Sequence, residues 1–130
     1  MEIEYKQFVI IPKKLKMSLG KACSQTAHAT FMAIENQKNE HLHNKEEDFS
    51  EHLDLIKTWK ENGMCVIVLQ CDTTEQLMGI AKYLEQWKVP HHLYIDEGLT
   101  EVKMGTPTCL ATGVITKDKY WMFETLELYK

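Results

Sequence analysis

Phe8, Val9, Ile10 and Ile11 stand side by side with no polar residue between them, and Pro12 follows. A strand with water on one face alternates apolar and polar residues, whereas an unbroken apolar run fits a strand covered on both faces. The run therefore predicts a buried strand over residues 6–12. It stops at Pro12, which has no N–H to donate to a ladder. Residues 64–71 repeat the pattern around Val66-Ile67-Val68-Leu69 and predict a second buried strand. Strands of this kind need helices above and below the sheet.

Those helices are legible between the strands. Ser18 is a suitable N-cap for a helix over 19–37, with Ala22, Thr26, Ala29 and Ala33 at helical spacing. Small residues on that stripe suit close packing on a sheet. Residues 36–50 are polar and aperiodic and read as a solvated loop or frayed helix end. A second helix is predicted over 49–61, with Leu53, Ile56 and Trp59 inward and Gly63 as its stop. Asp72, Thr73 or Thr74 caps a third helix running to about Trp87, with Leu77, Ile80, Ala81 and Leu84 inward. A third strand follows Pro90, and a loop from Glu97 to Pro107 leads to a fourth strand over 108–115. A turn at Lys117 and Asp118 and a short edge strand within residues 126–129 complete the chain. The order β-α-α-β-α-β-β predicts one domain: a three-layer α/β/α sandwich on a mixed, mostly parallel sheet of four main strands. The last long strand, reached by a loop alone, is expected to run antiparallel.

Composition narrows the function classes. The chain has 130 residues, a formal charge of −4 and fifteen basic residues, all lysine. Any phosphate contact must then use ammonium point charges and not bidentate guanidinium forks. Between Glu35 and Asp54 seven acids face two lysines, a local balance of −5, while the first 21 residues carry five lysines against two acids, a balance of +3. No apolar run approaches the ~18 residues that span a bilayer. Cys23, Cys65, Cys71 and Cys109 are scattered, with no C-x-x-C pair. A reducing cytoplasm fits them, and all four read as small buried residues.

Two segments can carry chemistry. In the first, Lys21 and Gln25 are four residues apart and share one helix face, just after Gly20. Lys21 sits in the first turn, where free N–H groups and the helix dipole favour an anion. A cation is unhelpful to the helix there, so a phosphate or oxyanion partner is one reading and a solvent-exposed lysine the other. The segment lacks P-loop spacing. The second segment runs from Asp96 through Gly98, Thr100, Gly105 and Thr106 to Thr108. Asp96 ends a predicted strand, and ligand crevices in open α/β sheets lie at the carboxyl ends of strands. A carboxylate with nearby hydroxyls can orient water as a general base. The plainer reading is an Asx-turn with ordinary loop threonines. His28 reads as a core histidine, His41 and His43 as loop residues, and His91 and His92 as pointing to opposite sheet faces. The Met and Trp residues read as core or dimer interface.

In order and separation these two segments resemble the type II peptidyl-tRNA hydrolases. That family reads Met-x-x-Gly-Lys-x-Ala-x-Gln-x-x-His-Ala near its start and Asp-x-Gly-x-Thr-x-x-x-x-Gly-Thr-x-Thr near its end. This chain supplies Met17, Gly20, Lys21, Gln25, His28 and Ala29, then Asp96, Gly98, Thr100, Gly105, Thr106 and Thr108. The resemblance covers nearly the whole chain. Pro12 and Lys14 stand where the family often has an arginine and an aspartate, Leu19 where it often has another lysine, and Glu97 where it usually has alanine.

The resemblance implies hydrolysis of the ester between a peptide and the terminal adenosine of tRNA, with no metal or organic cofactor, by a cytoplasmic homodimer. It assigns catalysis to Lys21, Asp96, Thr100 and Thr108. Substrate binding falls to Gln25, Gly98, Gly105, Thr106 and the lysines Lys13, Lys14 and Lys16, with Lys103 a further candidate. A Lys21–Asp96 pair is expected when no substrate is bound. Two other classes stay open: a non-catalytic paralogue binding a protein through the acidic 35–54 segment, and a hydrolase of another acyl-nucleotide ester.

Overall fold

Tyr5–Pro12 forms β1, the middle strand of five in the computed structural model, which describes residues 4–45, 48–98 and 102–130. The chain continues through α1 (Leu19–Gln37), α2 (Phe49–Glu61), β2 (Val66–Cys71), α3 (Thr74–Gln86), β3 (His91–Ile95), β4 (Pro107–Thr116) and β5 (Glu127–Leu128). Single 3-10 segments lie at Lys13–Leu15, Glu40–Leu42 and Lys117–Phe123. The sheet order is β3-β4-β1-β2-β5. β1 and β2 are parallel neighbours, from Gln7 opposite Val66 to Pro12 opposite Cys71. β4 runs antiparallel between β1 and β3, and β5 lies antiparallel on β2. So β1, β2 and β3 point one way, and the last long strand points the other, as expected; but because β4 inserts between β1 and β3, only β1–β2 is a parallel pair, and the sheet is mixed and mostly antiparallel in its pairings, not mostly parallel.

The alternation of β1 divides the interior. Phe8 and Ile10 face α3, packing with Leu69, Leu77, Leu84, Leu110 and Phe123. Val9 and Ile11 face α1, meeting Ala22, Ala29 and Ala33. Ala29 and Ala33 are fully buried, and their small size lets α1 lie close to the sheet. α2 covers the same side through Ile56 and Trp59 against Val114. The result is a sandwich with α1 and α2 on one face and α3 on the other. Burying a side chain such as Leu77 or Leu84 contributes roughly 1.5–3 kcal/mol, and both are fully covered.

Several expectations need correcting. Leu53 is 43% exposed. The buried stripe of α2 runs through Leu55, Ile56 and Trp59, and at 100° per residue Leu53 falls roughly 110° from its centre. β2 is covered only in part, because just the two residues of β5 lie beyond it. The expected turn at Lys117 is a 3-10 segment that seats Phe123 flat on Phe8, ring centroids 4.5 Å apart. Cys23 is exposed and Cys65 half-buried. Cys71 and Cys109 are buried, and burial pushes their thiols up to about 11 and about 12. Of the tryptophans, expected as core or dimer interface, Trp59 is core and Trp87 and Trp121 lie about half exposed at the surface.

β4 also carries a bulge at Thr112 and Gly113, seen as a register shift between Gln7 and Val9 on its partner. The Thr112 hydroxyl accepts from the displaced Phe8 N–H at 3.0 Å. The Gln37 side chain acts as a surrogate strand: its Nε2 donates to Val114 O at 3.0 Å and its Oε1 accepts from Val114 N at 2.7 Å. A Cβ on Gly113 would stand 2.5 Å from Gln37 Oε1, so this position needs glycine. The bulge thus ties the end of α1 to the sheet and sets how the helix lies along it.

Candidate active site

The carboxyl ends of β1 and β3 and the start of β4 share one edge of the sheet, a consequence of the strand directions. The N-terminus of α1 lies there too. Ser18 caps that helix, its hydroxyl accepting from Lys21 N at 3.2 Å. Lys21 crosses to β3, and its Nζ lies 2.6 Å from Asp96 Oδ1. The anion implied by a lysine in a first helical turn is therefore supplied from within, by Asp96.

Asp96 is held on both oxygens. Gly98 N donates to Oδ2 at 2.6 Å, the Asx-turn geometry that the sequence allowed. Gly98 has φ +78, and a Cβ there would stand 2.6 Å from Met104 Cβ, so only glycine lets the loop fold back on itself. The backbone of Asp96 continues the hairpin: its N–H donates to Thr106 O, and its carbonyl accepts from Gly105 N. The side chains of Lys21 and Asp96 are 8% and 4% exposed. The Lys21 ammonium holds the Asp96 carboxyl below its usual range; burial opposes this, and the Gly98 N–H adds to it. Asp96 is thus an ionised carboxylate, covered by a thin layer of loop and helix end.

One turn along α1, Gln25 Oε1 accepts from Thr108 Oγ1 at 2.5 Å. Gln25 is 3% exposed and Thr108 fully buried. This bond pins α1 to β4 directly behind the Lys21–Asp96 pair. The structure therefore gathers Lys21, Gln25, Asp96, Gly98, Gly105, Thr106 and Thr108 at one place. Thr100 lies outside the described residues. Lys13, Lys14 and Lys16 are exposed just past the carboxyl end of β1, and Lys103 is exposed in the loop before β4. Among the described residues no group of three His, Cys, Asp or Glu could hold a metal ion.

His28 is not a core histidine. It is exposed, and its ring stacks on Tyr94, centroids 4.8 Å apart and planes 10° apart. His28 lies beside the buried stripe of small residues on α1, not within it, on the seam with β3. Tyr94 drew no attention in the sequence. Its signal was position, two residues before Asp96 and near the carboxyl end of β3.

A family model described as peptidyl-tRNA hydrolase PTH2 matches residues 5–128, so both site segments fall inside it. The chain belongs to this family. A peptidyl-tRNA hydrolase of Thermococcus onnurineus is 34% identical over 110 residues, covering 84% of this chain and 83% of its own. One from Methanopyrus kandleri is 33% identical over 109 residues, with 84% of each chain covered. A probable peptidyl-tRNA hydrolase 2 of Dictyostelium discoideum is 26% identical over 90% of this chain and 54% of its own length. The match spans β1 to β5, so family membership rests on the whole sandwich and not on a single motif.

Proposed function

We propose that this chain hydrolyses the ester of peptidyl-tRNA, with Asp96 as the group that orients and deprotonates water. The observation that supports this reading is the paired, ionised Asp96, set between the Lys21 ammonium and the Gly98 N–H at the open end of the sheet. Each carboxylate oxygen keeps a lone pair beyond the bond it accepts, so one can take a proton from water. Water adds to the ester carbonyl and its proton passes to Asp96. The carbonyl oxygen becomes an oxyanion, and Lys21 is the cation within reach to stabilise it. The tetrahedral species collapses, the ribose oxygen leaves, and it takes the proton that Asp96 holds. The products are a peptide carboxylic acid, ionised at neutral pH, and a tRNA with a free terminal hydroxyl.

Gln25 and Thr108 act as positioning residues in this scheme. The Thr108 hydroxyl donates to Gln25 Oε1 and both side chains are buried, so they fix the spacing of α1 and β4 and thereby hold Lys21 on Asp96. Thr100 is assigned, by resemblance, a hydroxyl contact with the water or ester. Gly98, Gly105 and Thr106 shape the loop backbone that approaches the substrate. Lys13, Lys14 and Lys16, and Lys103 across the loop, contact the phosphates of tRNA. The enzyme works as a homodimer in the cytoplasm, where its substrate arises.

The test is release of a radiolabelled N-acetylated amino acid from tRNA by the purified protein. Free aminoacyl-tRNA, a small N-acetylaminoacyl-adenosine ester and EDTA serve as controls. Cleavage of the blocked tRNA ester supports the reading. Faster turnover of the small ester than of the tRNA ester would move the assignment to another acyl-nucleotide hydrolase. No cleavage by folded protein at low salt would overturn it.

A further inference from the structure

Lys21, Gln25 and His28 fall at intervals of four and three residues, so they line one side of α1 where it borders β3. Facing them are Tyr94 of β3 and Asp96, the residue just past the strand's end. The seam therefore has two rungs. One is the Lys21–Asp96 ion pair at 2.6 Å, and the other is the parallel His28–Tyr94 stack at 4.8 Å. Their strand-side residues are two apart in the chain, so their backbones are at most about 7 Å apart. β3 is an edge strand, so nothing in the sheet lies beyond this seam.

The second rung has no role in the mechanism above. A histidine stacked on tyrosine within the core would be packing, but His28 is exposed and Tyr94 half-buried. One face of the imidazole lies on the tyrosine ring, so the other extends the stack outward. We infer that the His28–Tyr94 pair is a stacking platform for the terminal nucleobase of the substrate, one ribose away from the reacting ester. This rests on the peptidyl-tRNA reading. A ribose carries its base and its ester on opposite flanks of one ring, which suits two rungs separated by a few ångströms. The base is the better occupant than a peptide side chain, because every tRNA ends in the same adenosine while the peptide varies. A fixed aromatic surface at a fixed distance from the chemistry serves a constant group.

The platform binds and orients; it moves no proton. Stacking of a base on an aromatic side chain is sequence-tolerant, and its loss on alanine substitution corresponds to about tenfold or more in affinity. Two fluorescein-labelled ligands distinguish the platform from plain phosphate binding: a CCA trinucleotide, and the same oligonucleotide with an abasic ribose in place of the last adenosine. By anisotropy the native chain is expected to bind the first about tenfold more tightly than the second. His28→Ala is expected to bind both equally, at the weaker level, and His28→Phe to restore the preference. Circular dichroism checks that each variant is folded. In turnover of N-acetylaminoacyl-tRNA, His28→Ala is expected to raise KM about tenfold with kcat within about twofold. Equal binding of the two ligands by the native chain would overturn the platform, as would a preference that survives in His28→Ala. The binding arm needs no hydrolysis, so failure of the catalytic reading would show separately, as absent turnover.

Discussion

Replacing Lys21 by methionine removes one partner of an ion pair and leaves Asp96 covered, 4% exposed, with one hydrogen bond from Gly98. Breaking a buried pair in this way costs about 3–5 kcal/mol. The cover over Asp96 is thin, and its Gly98 bond survives, so the lower end applies, about 3 kcal/mol at pH 7. With about 2.1 cal/mol/K of unfolding entropy per residue over 130 residues, the midpoint falls by about 10 °C.

The pH dependence carries the sharper test. In the native chain the carboxyl of Asp96 is held below its ordinary value of 3.8. Its contribution is therefore present above that value and is lost as pH falls through the lower, folded one. In Lys21→Met the burial that opposes ionisation is countered by Gly98 alone, and the Asp96 carboxyl titrates at higher pH. The stability difference between the two proteins is then full at pH 7 and shrinks as pH falls towards 4, where the variant's carboxyl takes up a proton and the native one does not. Urea unfolding at pH 7, 5.5 and 4, with m-values compared, measures this. A difference below ~1 kcal/mol at pH 7 would refute the reasoning from buried pairs, and so would a difference that grows on acidification.

Three further outcomes follow from the same geometry. Gly98→Ala forces a side chain into Met104 at a positive φ, which costs roughly 1–2 kcal/mol in backbone strain alone, and kcat/KM should fall at least tenfold as the Asp96 hydrogen bond is displaced. Thr108→Val keeps the shape but strands the Gln25 oxygen; a loss of about 1–3 kcal/mol in stability is expected, with kcat falling more than KM, read by denaturation and steady-state kinetics. Removing Lys13, Lys14 and Lys16 one at a time should weaken tRNA binding and reduce the slope of log affinity against log salt by roughly 0.7–0.9 for each phosphate no longer neutralised; an unchanged slope in all three would place the tRNA elsewhere.

The fold was legible where one physical signal dominated. The unbroken run at Phe8–Ile11 marked the central strand, and Ser18 marked the start of α1, because a side-chain oxygen has to meet the free N–H groups there. The end of α2 at Glu61 was marked likewise, by Gly63 just beyond it. The rest depended on partners far apart in the chain. The β4 bulge uses Gln37 as a surrogate strand across 77 residues, and no local pattern marks a glutamine for that task. The 3-10 segment at Lys117–Phe123 is fixed by Phe8, over a hundred residues away. At the site, the sequence pointed to Lys21, Gln25, Asp96 and Thr108; the expected Lys21–Asp96 pair is present, whereas the partners of Gln25 and Thr108 were not legible. Gln25 and Thr108 are bonded to each other across 83 residues, a pairing no local pattern marks. His28 needed the position of Tyr94 before its exposure made sense.

The central claim is that the Asp96 carboxylate, held ionised by Lys21, activates the attacking water. Single-turnover cleavage of N-acetylaminoacyl-tRNA by Asp96→Asn tests it most directly, beside native protein and with folding checked by thermal melting. The amide keeps one oxygen, enough to accept from Lys21 or from Gly98 but not from both; the variant loses one of the two bonds, still folds, and is expected to bind tRNA with affinity within about threefold of native. Without the base its cleavage rate is expected to fall by about 10²–10⁴-fold. A folded, tRNA-binding Asp96→Asn protein that cleaves within tenfold of the native rate would contradict the account.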